Sequence, residues 1–265
     1  MSHRVWRSAA RATLTTVLVV GSATVSAGDS WDRATSNDDS SATQSELLHG
    51  SEETHDLKAS GGIADQDWYR LSQKPYSSYE IVVDATTGDI VPVALDRVGN
   101  DGVNVQQSAI AVGTGSAVSL RWQNSSANQR NGQYVRVKSG GCTTDCAAAD
   151  TYRIRAFDTT YAVPRINNSG TQVTVLLVQN PTDYTIGGDV RFFDATGALL
   201  AASPFSLAAK AELVLNTSTV PGLAGTTGSA TIAHDGRYGD LAGKAVSLEP
   251  ATGFSFDTEI RPRPH

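Results

Sequence analysis

The feature that most constrains this chain is strict two-residue alternation in short segments, each bounded by turn residues. Residues 64–84 show it best. Trp68, Arg70 and Ser72 fall on one side of an extended segment, and Tyr69, Leu71 and Gln73 on the other. After a Pro-Tyr-Ser-Ser turn, Tyr79, Ile81 and Val83 alternate with Glu80, Val82 and Asp84. The same period recurs at 133–138 and 151–157, and further strand-like runs stand at 91–98, 103–112 and 117–122. Each run is short, β-branched or aromatic, and ends on Gly, Asn or Asp. No window of a dozen residues carries a helical stripe. Only 18% of the residues are charged, against a usual quarter, and 24 glycines serve the many turns. The chain is predicted to be all-β.

Length and punctuation divide it further. Its 265 residues allow two domains. Residues 46–158 hold enough strands for a jelly-roll-like sandwich, and 171–258 hold about seven more, suited to an immunoglobulin-like sandwich. The stretch 159–170, with Pro164 and the turn-rich Asn167-Asn168-Ser169-Gly170, reads as the linker between them. Residues 28–45 are polar and acidic and read as a linker without an apolar face. Residues 259–265 read as an unstructured basic tail.

The first 27 residues have the layout of an export signal. Arg4, Arg7 and Arg11 precede an apolar run at 12–20, and Val-Ser-Ala ends at Ala27, so a mature chain would begin at Gly28. The apolar run is shorter than the roughly 20 residues a membrane span needs. No later run is long enough, so the expectation is a secreted, periplasmic or cell-surface protein with no span in its mature part. The net charge of −6, and the lack of a Lys/Arg run beyond the N-terminus, exclude a nucleic-acid footprint. In an exported chain Cys142 and Cys146 read as a disulfide closing a tight loop. Zinc is the competing reading, but no second pair or nearby His completes four ligands.

A set of motifs carries a family resemblance. Asn37-Asp38-Asp39, Leu57, Asp65-x-Asp67-Trp68-Tyr69-x-Leu71, Tyr79-x-Ile81-x-Val83 and Asp150-Thr151-Tyr152-x-Ile154-Arg155 stand in that order. Over roughly residues 36–158 this resembles the bacterial pre-peptidase C-terminal domain. The resemblance implies a jelly-roll-like, usually non-catalytic module appended to secreted proteins, often proteases, some of which bind calcium or extracellular polymers. The chain departs from that pattern in Leu71, where the family often has Phe, in its Cys pair, and in carrying no protease.

Candidate sites follow from residue chemistry. Asp65 and Asp67, with the acidic arm before them, offer oxygens to a cation, and calcium is the cofactor such loops would take. The plain alternative is that Asp67 caps the strand. Hydrolytic chemistry lacks its elements: there is no G-x-S-x-G or H-E-x-x-H, and His234 beside Asp235 points to the opposite face of a strand. No catalytic residue is assigned, and the chain is read as no enzyme. Trp68 and Trp122, at strand spacing, are assigned to the core; Tyr76, in the turn, is the aromatic expected to be exposed. The loop from His234 to Gly243 is dense in polar and aromatic groups, and His234, Arg237 and Tyr238 join Tyr76 as candidate ligand contacts. The function expected is binding or adhesion to an extracellular polymer, glycan or protein. A self-associating structural component of the cell surface or matrix is the alternative, and an accessory to a secreted hydrolase the third reading.

Overall fold

The computed structural model describes residues 38–57, 65–87, 93–110, 117–139 and 151–263. Residues 1–27, read as an export signal, and Cys142 and Cys146, read as a disulfide, lie outside the described residues. The chain is all-β, with four antiparallel sheets arranged as two β-sandwiches.

The first sandwich uses β1 (Glu52–Asp56), β2 (Gln66–Gln73), β3 (Ser77–Thr87), β4 (Val93–Val98), β5 (Val105–Ile110), β6 (Ala117–Asn124), β7 (Arg130–Ser139) and β8 (Thr151–Asp158). Its sheets run β1-β8-β3-β6 and β2-β7-β4-β5. The alternation read in the sequence faces inward as a core. Tyr79, Ile81 and Val83 of β3 lie beside Tyr152, Ile154 and Ala156 of β8, against Tyr69, Leu71, Leu95, Val135 and Val137 of the other sheet. Trp122 joins this core, with the Arg97 guanidinium 4.6 Å above its ring. Trp68 is equally buried, but on the outer face of β2. There Arg136 lies 5.1 Å over its ring and Tyr134 meets it edge-on.

The second sandwich uses β9 (Tyr161–Asn167), β10 (Val173–Gln179), β11 (Ile186–Asp194), β12 (Leu199–Leu207), β13 (Glu212–Asn216), β14 (Thr227–His234), β15 (Ala242–Glu249), β16 (Phe254–Glu259) and β17 (Arg261–Pro262). Its sheets run β13-β10-β15-β16 and β12-β11-β14-β9-β17. Phe192, Leu176, Ile186, Ile232 and Ile166 fill the space between them.

Three segments read as irregular are ordered. Most of 159–170 is strand β9. Pro164 is tolerated because the ladder with β14 slips at that point, so the missing N–H falls in a bulge. Of the 259–265 tail, Glu259 ends β16 and Arg261 and Pro262 form β17, paired to β9. The end of the 28–45 linker runs along the edge of β2: Trp68 N donates to Asp38 O at 2.6 Å, Arg70 N to Ser45 O at 2.7 Å, and Leu47 N to Arg70 O at 2.9 Å. Backbone pairing asks nothing of the side chains, so a polar segment with no apolar period can still close a sheet edge.

Candidate functional site

The two sandwiches meet through a buried cluster of short polar side chains. Ser77, Ser78, Thr159, Thr160 and His234 are all fully inaccessible. Thr159 Oγ1 donates to Ser78 Oγ at 2.8 Å, His234 N to the same hydroxyl at 3.2 Å, and Ser78 N to Thr160 Oγ1 at 2.9 Å. Arg263 reaches across to Ser77 Oγ at 2.6 Å. Every bond but the Thr159–Ser78 and Ser78–Thr160 pair ties residues more than 150 positions apart, and the buried donors are satisfied, as a dry interface requires.

His234 belongs to this joint. Its Nε2 donates to Thr159 O at 2.9 Å, and its Nδ1 accepts from Gly236 N at 3.1 Å. That pairing defines the neutral ring with its proton on Nε2. Burial holds the imidazole pKa down at about 4. Both ring nitrogens of His234 are committed to backbone within the joint.

Tyr76 is also at the joint. Its backbone is left-handed, φ 50°, and its ring packs on Phe193 with the Arg191 guanidinium 4.6 Å above it. A bulky residue in that region is held by its surroundings. Here the surroundings come from the second sandwich, so the ring is half-buried rather than freely exposed.

Arg237 and Tyr238 come instead to an open groove on the outer face of the β1-β8-β3-β6 sheet. Period-two geometry turns Arg155 and Phe157 of β8, and Glu80 and Val82 of β3, away from the core onto this face. The loop after β14 lies against them. The Tyr238 ring stacks on Phe157, with centroids 5.0 Å apart and planes at 16°. Tyr238 N donates to Glu80 Oε2 at 2.9 Å, and His49 meets Tyr238 edge-on at 5.5 Å. Burial raises the Glu80 carboxyl above its ordinary pKa.

Phe157 lines two cavities, and Tyr238 lines the second of them. One, of about 380 Å³, is lined mostly by apolar groups, among them Leu47, Leu48, Leu71 and Phe157, with Lys74 and Asp158 paired at 3.2 Å on its rim. The other, of about 320 Å³, has Arg155, Arg237, Glu80, Ser119 and Tyr238 in its wall. Arg155 pairs through one terminal nitrogen with Asp84 at 3.0 Å, while its Nε has no hydrogen-bond partner. The Arg237 guanidinium is exposed, and the only bonds of this residue among the described residues are made by its backbone. The groove therefore offers a flat aromatic surface beside the exposed Arg237 guanidinium and the partly exposed Arg155, whose unpaired Nε is itself buried.

The acidic pair lies elsewhere. Asp67 is buried and accepts from the Tyr152 hydroxyl, which also meets the Tyr69 hydroxyl at 2.6 Å. Burial, with Asp67 second, pushes the Tyr152 pKa well up. Asp65 Oδ1 accepts from Gln66 N at 2.8 Å. Among the described residues no group of three or more His, Cys, Asp or Glu is placed to hold a metal ion. His49, Arg155 and Phe157 were not singled out as contact residues in the sequence. Phe157 and Arg155 sit on opposite faces from Tyr152 and Ile154 of one strand, and only docking of the second sandwich gives their face a role.

No protein-family model matches the chain, and no curated protein matches it. Among solved structures it is similar, at 11% identity, to Bacteroides uniformis β-glucuronidase 2 covalently bound to cyclophellitol-6-carboxylate aziridine, over 82% of this chain and 32% of that one, with a TM-score of 0.21. It is similar at 10% identity to a glycosyl hydrolase family 2 member from Bacteroides cellulosilyticus, over 78% of this chain and 31% of that one, with a TM-score of 0.23. The chain spans about a third of the length of these structures.

Proposed function

We propose that the protein is an exported, non-catalytic binding module that holds an extracellular polymer in the groove across Phe157 and Tyr238. In this reading the first sandwich is a jelly-roll module of the pre-peptidase C-terminal kind, and the second is immunoglobulin-like and supplies one wall of the site. The observation that carries it is the stacked Phe157–Tyr238 pair, flanked by two cavities and by the guanidinium donors of Arg155 and Arg237. Aromatic faces suit the apolar faces of sugar rings, and guanidinium groups suit carboxylates in bidentate geometry. An acidic glycan is the polymer class that uses both. Asp67 is buried beneath Tyr152 and Asp65 accepts from the Gln66 N–H, and in this reading calcium at that pair would stiffen the first sandwich rather than contact the polymer.

The test is affinity electrophoresis of the mature chain in gels cast with polygalacturonate or with neutral dextran. Polygalacturonate should retard the protein and dextran should not. A charge-assisted hydrogen bond contributes about 1.5–3 kcal/mol, so Arg237→Ala should weaken binding about tenfold or more. Tyr238→Ala should weaken it as well. Equal retardation by both polymers, or retardation unchanged in both variants, would remove the groove from the binding reaction.

A further inference from the structure

We propose that β16 is a pairing edge through which a second copy of this chain adds, antiparallel and about a twofold axis, to the second sandwich. β16 ends the sheet β13-β10-β15-β16, and all six of its residues are exposed. Ile260 N donates to Gly243 O at 3.1 Å, which makes 260 and 243 a hydrogen-bonded pair. By alternation along the ladder, Phe254, Phe256 and Thr258 turn their backbone groups to β15. The N–H and C=O groups of Ser255, Asp257 and Glu259 therefore point out of the sheet, and among the described residues no strand pairs with them.

The side chains add an apolar contact to this edge. Phe256 lies opposite Ser247 and Phe254 opposite Glu249, while Thr258 lies opposite Ala245. Ala245 and Ser247 are buried and face the core, so both phenylalanines are on the inner face of their sheet. They extend past the facing sheet, which leaves Phe254 69% and Phe256 49% exposed. Leu248, exposed as well, pairs with Ser255 and therefore lies on the opposite, outer face.

A second copy fits because the strand is complementary to itself. A twofold axis through Phe256 sets Phe256 against its own copy, Phe254 against Thr258, and Ser255 against Asp257. The outward-facing Ser255 and Asp257 then exchange N–H···O bonds on both sides of the axis, and no like charges stand directly opposite. Lys244 already pairs with Asp257 at 2.8 Å, which offsets the carboxylates that approach diagonally. The neighbouring registers are worse. An axis through Asp257 sets that carboxylate against itself, and one through Ser255 runs into Gly253, whose φ of 70° turns the chain away. A twofold arrangement also closes, so it gives a dimer rather than a fibre. One edge pair lies at the small end of protein interfaces, under about 1,200 Å², so the dimer is weak in solution. At a crowded surface it would present two grooves and gain by avidity.

Sedimentation velocity of the mature chain over a range of concentrations tests this. The wild type should show a reversible monomer–dimer equilibrium. Ser255→Pro removes one outward N–H without touching a bond to β15, and Phe256→Glu places like charges on the axis. Each should weaken the dimer at least tenfold while leaving the monomer's melting temperature nearly unchanged. Arg237→Ala, which tests the groove, should leave the dimer intact, so the two proposals fail separately. A wild type that stays monomeric at about 100 μM, or a dimer that persists in both edge variants, would overturn the pairing.

Discussion

In the first sandwich the edge strand β2 is roofed by the preceding segment, which bonds to Trp68 and Arg70 and buries Leu47. In the second, no described residue covers β16, and its two phenylalanines stand in solvent. The sheets are otherwise alike in strand number and in their alternating cores. The difference teaches that closing an edge takes only a length of chain with free backbone groups. The segment 38–48 does so with mostly polar residues and one buried apolar anchor, Leu47, 1% exposed. The chain after β16 goes instead to the other sheet as β17, where it pairs with β9 and carries Arg263 to the joint. The second sandwich thus uses its last residues to hold the two halves together and leaves its own edge open.

The largest expected effect breaks the closed edge. Leu47→Ala removes the arm's apolar anchor from the core of the first sandwich and from the wall of the larger cavity. Buried Leu→Ala changes cost roughly 2–5 kcal/mol, and this one should fall in the upper part of the range because the arm loses its hold on β2. Urea unfolding should show an earlier midpoint, with hydrogen exchange rising first at Trp68 and Arg70. A loss under about 1 kcal/mol would mean that backbone pairing alone keeps the edge closed.

The next effect lies at the joint that the second sandwich's tail serves. His234 is fully buried with a pKa of about 4, against an ordinary 6.5. The unfolded chain therefore binds the extra proton first as pH falls. Stability is complete above pH 6.5, declines between 6.5 and 4, and levels below that window. The span corresponds to about 3 kcal/mol. Protonation would also set an Nδ1–H against the Gly236 N–H that now donates to it. The charges that bear on this ring are Asp240 and Asp235, which favour the cation, and Arg121, which opposes it. Glu80, whose pKa is raised by burial, works in the opposite direction at acid pH, so the comparison must be made against a variant. His234→Gln keeps a donor for Thr159 O and should flatten the wild-type slope between pH 6.5 and 4 by about one proton. Identical slopes in the two proteins would place the acid sensitivity elsewhere.

How much of this could be read from the sequence depends on which physics set each element. Tyr79, Ile81, Val83, Tyr152 and Ile154 announced both their strands and their inward faces, because side-chain alternation is local. The arm, β9 and β17 gave no such sign. Their order comes from backbone bonds to distant strands, and Pro164 survives only because a bulge forms opposite it. The groove was half legible. Arg237 and Tyr238 stood out in a polar loop, but Phe157 and Arg155 are distant in sequence and read as the solvent face of an ordinary strand. His234 and Tyr76 stood out for their chemistry, yet that chemistry is spent on joining the sandwiches. Nothing in a one-dimensional pattern distinguishes a loop that meets a ligand from one that meets another part of the same chain.

The smallest expected effect sharpens the comparison of edges. Phe254→Ser on β16 removes an aromatic ring that is 69% exposed and belongs to neither core cluster. The backbone of Phe254 still bonds to β15, since only the side chain changes. Surface substitutions of this kind lie within about 0.5 kcal/mol, so monomer stability should scarcely move, in contrast to Leu47→Ala at the roofed edge. Measured by urea unfolding at dilute protein, where association is absent, the variant and wild type should unfold at nearly the same midpoint. A loss above about 1 kcal/mol in that dilute experiment would mean that the ring packs within its own chain. β16 would then be a finished edge like β2, and the contrast between the two sandwiches would be one of sequence alone.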